Sequence, residues 1–278
     1  MPPHKETIRL IPTVLAVPLD VNSSYLRGPA EAPARIREAF RSDASNTWSE
    51  LGIDVGAAGA FVDAGDWQLS NSSQGVDQDF AEIERAVGAL LEKDERPVSL
   101  GGDHSVTYPI LKAFAPRYAE LTIVHFDAHP DLYDEFEGSR VSHACPFARI
   151  MENRLAKRLV QIGIRTLNQH QREQAKKFAV EIVQMSALPA YDRLRIGGQV
   201  YISFDLDVLD PAFAPGVSHH EPGGMTVREA IRHLHAIEGT IVGADIVEYN
   251  PARDISGMTA TVAAKILKEI LGKMIAEH

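Results

Sequence analysis

Asp127, His129 and Asp131 alternate through Asp127-Ala128-His129-Pro130-Asp131, directly after an apolar run of Leu121, Thr122, Ile123, Val124 and Phe126. The run reads as a buried strand. If its extended conformation persists past the end, the three side chains leave on one face. Two hard carboxylates around one imidazole suit a divalent cation such as Mn²⁺, not a thiolate-seeking one. A polar loop that happens to hold Asp and His would read the same way, so the motif alone decides nothing. Two further strand ends decide it. Val98-Ser99-Leu100 opens onto Gly101-Gly102-Asp103-His104-Ser105, and Val200-Tyr201-Ile202-Ser203-Phe204 opens onto Asp205-Leu206-Asp207. Open α/β sheets place their sites at the carboxyl ends of strands. His104, Asp127, His129, Asp131, Asp205 and Asp207 offer two imidazoles and four carboxylates. That is too many for one ion and suits two ions sharing bridging carboxylates.

The elements that must carry these motifs alternate along the chain. Strands are expected at 8–17, 61–66, 97–100, 121–126, 159–164, 180–183 and 241–247, with one more ending in Asp205. Between them, helical spacing appears at Ile36 and Phe40 after Pro33, at Phe80, Ile83, Val87, Leu90 and Leu91, and at Val262, Ile266, Ile270 and Met274. Further helices are expected from Ser105 as a cap, near 143–153, over 168–178, and from a Thr226 cap to His235. The Gly- and Pro-broken loop Pro215–Gly224 should line the site. This alternation implies an α/β fold: one domain over residues 1–278, three layers (α/β/α) around a central, mainly parallel sheet.

Composition agrees. The 278 residues are 45% hydrophobic and 24% charged, ordinary for a globular domain. A formal charge of −10 argues against nucleic acid and suits a cationic ligand. Cys145 is the only cysteine, which excludes an intrachain disulfide and suggests a reducing, cytoplasmic setting. The N-terminal residues form no apolar signal region and no run reaches membrane-spanning length.

Gly-Gly-Asp-His-Ser, Asp-Ala-His-Pro-Asp and Ser-Phe-Asp-Leu-Asp-Val-Leu-Asp-Pro, in this order, resemble the ureohydrolases: arginases, agmatinases and their relatives. The resemblance extends through Pro18–Arg37, Ser142–Ile150, Pro215–Gly224 and Gly243–Pro251, and is nearest to plant-type arginases and agmatinases. It implies two Mn²⁺ ions per chain, one held by His104, Asp127, Asp131 and Asp205, the other by Asp127, His129, Asp205 and Asp207. Between them would lie a water of lowered pKa that Asp131 orients. The resemblance also gives His143 the proton-transfer role and Glu248 a bidentate contact with a substrate guanidinium. Arg140 and His219 become candidate substrate contacts, Asp245 a structural hydrogen-bond partner, and His125 a packing or surface residue. A homotrimer or hexamer is implied as well.

Competing readings fit less well. Two-metal phosphoesterases order their motifs differently. A cysteine nucleophile at Cys145 would leave the metal constellation unused. A non-catalytic regulatory homologue would be expected to have lost a ligand or His143. For the substrate, the acidic loop Leu132–Arg140 favours the decarboxylated, cationic agmatine, cleaved to putrescine and urea. L-Arginine is the alternative, since Arg140 could meet an α-carboxylate, and guanidinobutyrate comes after it.

Overall fold

Apolar alternation decides where sheet and helices meet. In the computed structural model, which describes residues 10–67, 75–190 and 196–277, the strand β4 (Thr122–Phe126) sends Val124 and Phe126 into one core and Ile123 into another. Period-two alternation does the same elsewhere: Ile202 and Phe204 against Tyr201 in β7 (Gln199–Asp205), and Ala244 and Ile246 against Val247 in β8 (Thr240–Val247), where a register shift after Ile241 sends Val242 to the second core. The first core packs beneath α1 (Ala32–Phe40), α6 (Val227–His235) and α7 (Met258–Ala276). The second packs beneath α2 (Val76–Leu91), α3 (Thr107–Phe114), α4 (Pro146–Glu152) and α5 (Gln169–Phe178). Three layers result.

The eight strands among the described residues all pair in parallel, in the order β2-β1-β3-β8-β7-β4-β5-β6. The remaining strands are β1 (Pro12–Val17), β2 (Val62–Asp66), β3 (Arg96–Gly101), β5 (Arg158–Ile164) and β6 (Glu181–Gln184). The interior strands are buried on both faces, as a parallel sheet covered by helices requires. The partly exposed strands are the edges, β2 and β6. On β2, Asp63 is held by Arg37 and Arg41, which places charge on an edge that could otherwise pair with another strand.

Helix starts follow local chemistry. Thr226 caps α6 as expected, in a reciprocal box with Glu229. The helix expected from Ser105 begins instead at Thr107. Asp103 caps a 3₁₀ turn over His104–Val106 by accepting the Ser105 N–H. Gly102 has no room for a side chain, because a Cβ there would lie 1.8 Å from the Leu19 carbonyl oxygen. Gly102 N–H donates to Val17 O and Asp103 N–H to Leu19 O, so the glycine lets β3 run hard against the end of β1. That contact sets where His104 emerges.

Candidate metal centre and active site

Four adjacent central strands, β3, β8, β7 and β4, end together and bring the chemistry-bearing residues into one place. His104 follows β3, and its Nδ1 lies 3.2 Å from Asp127 Oδ2, 3.1 Å from Asp131 Oδ2 and 3.1 Å from Asp205 Oδ2. His129 Nδ1 lies 2.8 Å from Asp207 Oδ2 and 3.4 Å from Asp127 Oδ1. All six expected ligand residues converge, though not by persistence of the strand. β4 stops at Phe126, and Asp131 turns back through a left-handed conformation at φ 49°. Asp205 and Asp207 share a capping turn in which Asp205 Oδ1 accepts the Asp207 N–H. Glu248, just past β8, is also left-handed, at φ 63°. Non-glycine residues held in this region concentrate at functional sites.

The hydrogen-bond network assigns the His104 tautomer. Ser203 Oγ donates to Asp245 Oδ1 at 2.7 Å, which leaves its lone pairs to accept from His104 Nε2–H at 2.9 Å. In the neutral ring Nδ1 then carries the lone pair. That nitrogen is buried, has no hydrogen-bond partner, and faces three carboxylate oxygens. A lone pair aimed at three anionic oxygens lacks the cation that would make the arrangement favourable, and a divalent ion fits the donor set. Asp245 is one step removed. It accepts from Thr107, Tyr201 and Ser203 and serves as the structural partner expected of it.

Electrostatics agree. Burial pushes the Asp205 carboxyl well above its usual range, with Asp207 and Asp127 adding to the effect. Burial and the Asp127 charge take Asp207 up to about 6. Burial would raise Asp127 too, but His125, His104 and His129 hold it well below the usual carboxylate range. For His104 and His129, burial would lower the pKa, and the surrounding carboxylates instead raise it well above the ordinary value. Like charges crowded out of water are relieved either by protons or by metal.

His125 departs from its expectation as a packing or surface residue. It is wholly buried, and its Nε2 lies 2.7 Å from Asp127 Oδ2. Gln161 Nε2 donates both to His125 Nδ1 at 3.0 Å and to Pro130 O at 2.6 Å, so the His125 proton sits on Nε2 and points at Asp127. With both nitrogens engaged, His125 orients Asp127 and is not itself left to bind an ion. The same alternation that drew attention to Asp127 and His129 also reaches back to His125, two residues earlier in the chain. Gln161, on β5, had no such signal.

A cavity of about 150 Å³ opens over the cluster, lined by Ser24, His129, Asp131, Tyr133, Phe136, His143, Ala144, Asp205, Asp207, His219 and Glu248. His143 Nδ1 lies 2.8 Å from Glu248 Oε1, which also accepts the His104 N–H at 2.9 Å. Burial would lower the His143 pKa, but Glu248 outweighs it and raises it to about 9. His219 lines the cavity with its ring centroid 5.2 Å from that of His143. Arg140 does not line it. Its guanidinium pairs with Asp134 and Glu152 on the outside. Nor does the 132–140 loop present acid to the cavity, because Arg149 and Arg140 take Asp134, and Glu135 and Glu137 are exposed. Its contribution to the wall is Tyr133 and Phe136. Cys145 is buried and its thiol is pushed up to about 12, chiefly by burial, which removes the thiolate a nucleophile needs.

A parallel three-layer sheet with carboxylates and imidazoles clustered at its central strand ends makes a candidate divalent-metal site at the place where open α/β sheets carry their active sites. The comparisons make the family specific. Residues 12–272 match the arginase family. The chain is 46% identical to mitochondrial arginase 1 of Arabidopsis thaliana over 275 residues, covering 94% of this chain and 80% of the relative. It is 36% identical to the agmatinase of Bacillus subtilis, covering 92% and 89%. Its fold superposes on the arginase of Medicago truncatula with a TM-score of 0.92 at 42% identity, covering 96% of this chain and 88% of that one. The chain belongs to the arginase family, hydrolases of guanidino C–N bonds with a binuclear metal centre. The cytoplasmic expectation is overturned, since the plant arginases it resembles are named mitochondrial or chloroplastic. One buried cysteine reports the absence of a disulfide and nothing about which compartment holds the protein.

Proposed function

We propose that this protein hydrolyses L-arginine to L-ornithine and urea. The observation that carries this over agmatine is the identity gap, 46% to a plant arginase against 36% to an agmatinase at similar coverage. The structural ground for agmatine is also gone, because it rested on an acidic loop whose carboxylates lie outside the cavity. We assign one Mn²⁺ to His104, Asp127, Asp131 and Asp205, and the second to Asp127, His129, Asp205 and Asp207. The distances around His104 Nδ1 support the first set, and those around His129 Nδ1 support Asp127 and Asp207 in the second. When bound, the ions supply charge neutralisation and a lowered pKa for water at the site.

The chain's own residues then have these tasks. Glu248 Oε1 is shared between His104 N–H and His143, so the contact it offers a guanidinium is single, through Oε2, not bidentate. His143 Nδ1–H is fixed on Glu248, which makes Nε2 the atom that exchanges a proton with the departing amine. Tyr133 and Phe136 wall the cavity against water around the substrate's methylene chain. Turnover of manganese-loaded protein against L-arginine, agmatine and 4-guanidinobutyrate, read as urea, tests the reading. We expect kcat/KM for arginine to exceed that for agmatine by at least about tenfold. Preference for agmatine would overturn it.

A further inference from the structure

The turn Asn22-Ser23-Ser24 belongs to the part of the sequence that resembles the family, yet the proposed chemistry gives it no task. Its placement is heavily determined. Asp103, wholly buried, accepts Asn22 N–H at 3.0 Å and Ser23 Oγ–H at 3.3 Å through Oδ2. Its Oδ1 accepts the Ser105 N–H at 3.0 Å and the Ser105 hydroxyl. Asn22 Nδ2 donates to Ser105 Oγ at 2.8 Å, and Asn22 O accepts the His143 N–H at 3.1 Å. One buried carboxylate thus joins the turn to the His104 segment, while the turn itself grips the His143 backbone. The result is that Ser24 Oγ lies 2.8 Å from His143 Nε2 and lines the cavity.

His143 is therefore clamped at both ring nitrogens, Nδ1 by Glu248 and Nε2 by Ser24. Since Nδ1–H donates to the carboxylate, Nε2 accepts from the Ser24 hydroxyl when the ring is neutral and donates to it when the ring is charged. A hydroxyl can do both without changing its rotamer, which an amide or a carboxylate could not.

We propose that Ser24 is a positioning residue for the reaction, fixing the His143 ring with Nε2 toward the cavity and carrying the proton that Nε2 exchanges with solvent. In each passage Oγ releases its hydrogen to Nε2 as it accepts one from a water, or the reverse. The hydroxyl is regenerated and only a proton has moved. Over the whole reaction the attacking water gives up both its hydrogens, because the urea oxygen keeps none, and the departing nitrogen gains two to leave as an ammonium, so His143 and Ser24 both end as they began. The kinetic part of this inference rests on the proposed arginine hydrolysis. The Ser24–His143 contact does not.

Valine and threonine are nearly isosteric, and only threonine has the hydroxyl. In manganese-loaded protein with L-arginine, Ser24→Val should lower kcat about 10–100-fold, the range for an outer partner of a reacting group, with KM changed less than about threefold. Ser24→Thr should restore most of the loss. In a His143→Asn background, Ser24→Val should have no further effect on kcat, because the serine acts through the imidazole. Deuterium exchange at C2 of His143, read by mass spectrometry without substrate, should change in Ser24→Val and return toward wild type in Ser24→Thr. Equal losses in Val and Thr variants, an undiminished Val effect in the His143→Asn background, or unchanged C2 exchange would each overturn the proposal. Wild-type protein inert toward arginine would refute the functional reading, and the exchange experiment would still decide the contact.

Discussion

Glu269 on α7 and Asp205 at the end of β7 are carboxylates buried to 0% and 2% exposure, under opposite conditions. Glu269 is surrounded by donors. The Glu50 N–H reaches both its oxygens at 3.0 and 3.1 Å, His235 Nε2 lies at 2.8 Å, and Lys265 Nζ at 2.5 Å. Asp205 is surrounded by other acids, and the nearest imidazole nitrogen, His104 Nδ1, makes no hydrogen bond. Burying a carboxylate is tolerable once donors replace the lost water. Asp205 has one such donor, the Asp207 N–H on Oδ1, while Oδ2 faces His104 Nδ1, so the missing positive charge has to be brought in. The first arrangement ties α7 and α6 to the 45–55 segment; the second is a site built to be completed.

The comparison breaks most visibly at Asp205. Asp205→Asn should reduce bound manganese below two per chain and lower turnover by more than about 100-fold, exceeding the usual effect of an outer partner. In chelator the sign should reverse, with the variant at least as stable as wild type, because folding no longer requires a carboxyl to take up a proton or to sit charged among other acids. Asp205 and Asp207 have folded pKa values raised above their unfolded ones, Asp207 from 3.8 to about 6. Between about pH 4 and 6 the metal-free folded state therefore holds protons that the unfolded chain has released, and its stability falls as pH rises through that window. Thermal unfolding in EDTA across this range checks both points. An apo variant less stable than wild type would mean that Asp205 is satisfied after all.

A subtler break is Gln161→Leu. It leaves every proposed ligand in place and removes the donor that holds the His125 proton on Nε2. The expected result is a loss of manganese affinity of about 10-fold, the low end for partners that orient a ligand, with a smaller loss of kcat at saturating metal. Metal titration followed by urea production would show it. Unchanged affinity would mean that stacking on Phe147, with ring centroids 3.9 Å apart, suffices to hold His125.

The two regions also differed in how much the sequence disclosed. Apolar runs ending in Asp or His were legible at β3, β4 and β7 because parallel strands are buried on both faces and lose polar residues until they end. That made the sheet, the layers and the convergence of six candidate ligands readable together. The route was not readable. Asp131 and Glu248 depend on left-handed backbone that no alternation rule describes, and Asp103, not Ser105, starts the turn after β3. Ser24 and Gln161 lie far along the chain from what they touch, at separations of 119 and 36 residues. The acidic 132–140 loop misled for the same reason, since a local charge count does not include Arg149 reaching back to Asp134. The Glu269 cluster gave no signal at all, because acid, histidine and lysine on amphipathic helices look like a solvated face.

That silent cluster gives the smallest predicted effect on activity and the clearest complement. Glu269→Gln keeps the side chain's shape and removes the charge that Lys265 and His235 face. It also sets an amide N–H₂ among groups that are themselves donors. Breaking a wholly buried ion pair costs about 3–5 kcal/mol. Lys265 and His235 keep 28% and 21% of their side-chain exposure, so solvent screens part of the effect and about 2 kcal/mol is the expected loss. It should appear as a lower denaturation midpoint with an unchanged denaturant slope. Manganese content and kcat/KM for arginine should match wild type, because no proposed ligand touches α7. A fall in bound metal would show that the two buried acids are coupled across the sheet and that satisfaction by donors does not separate structure from site.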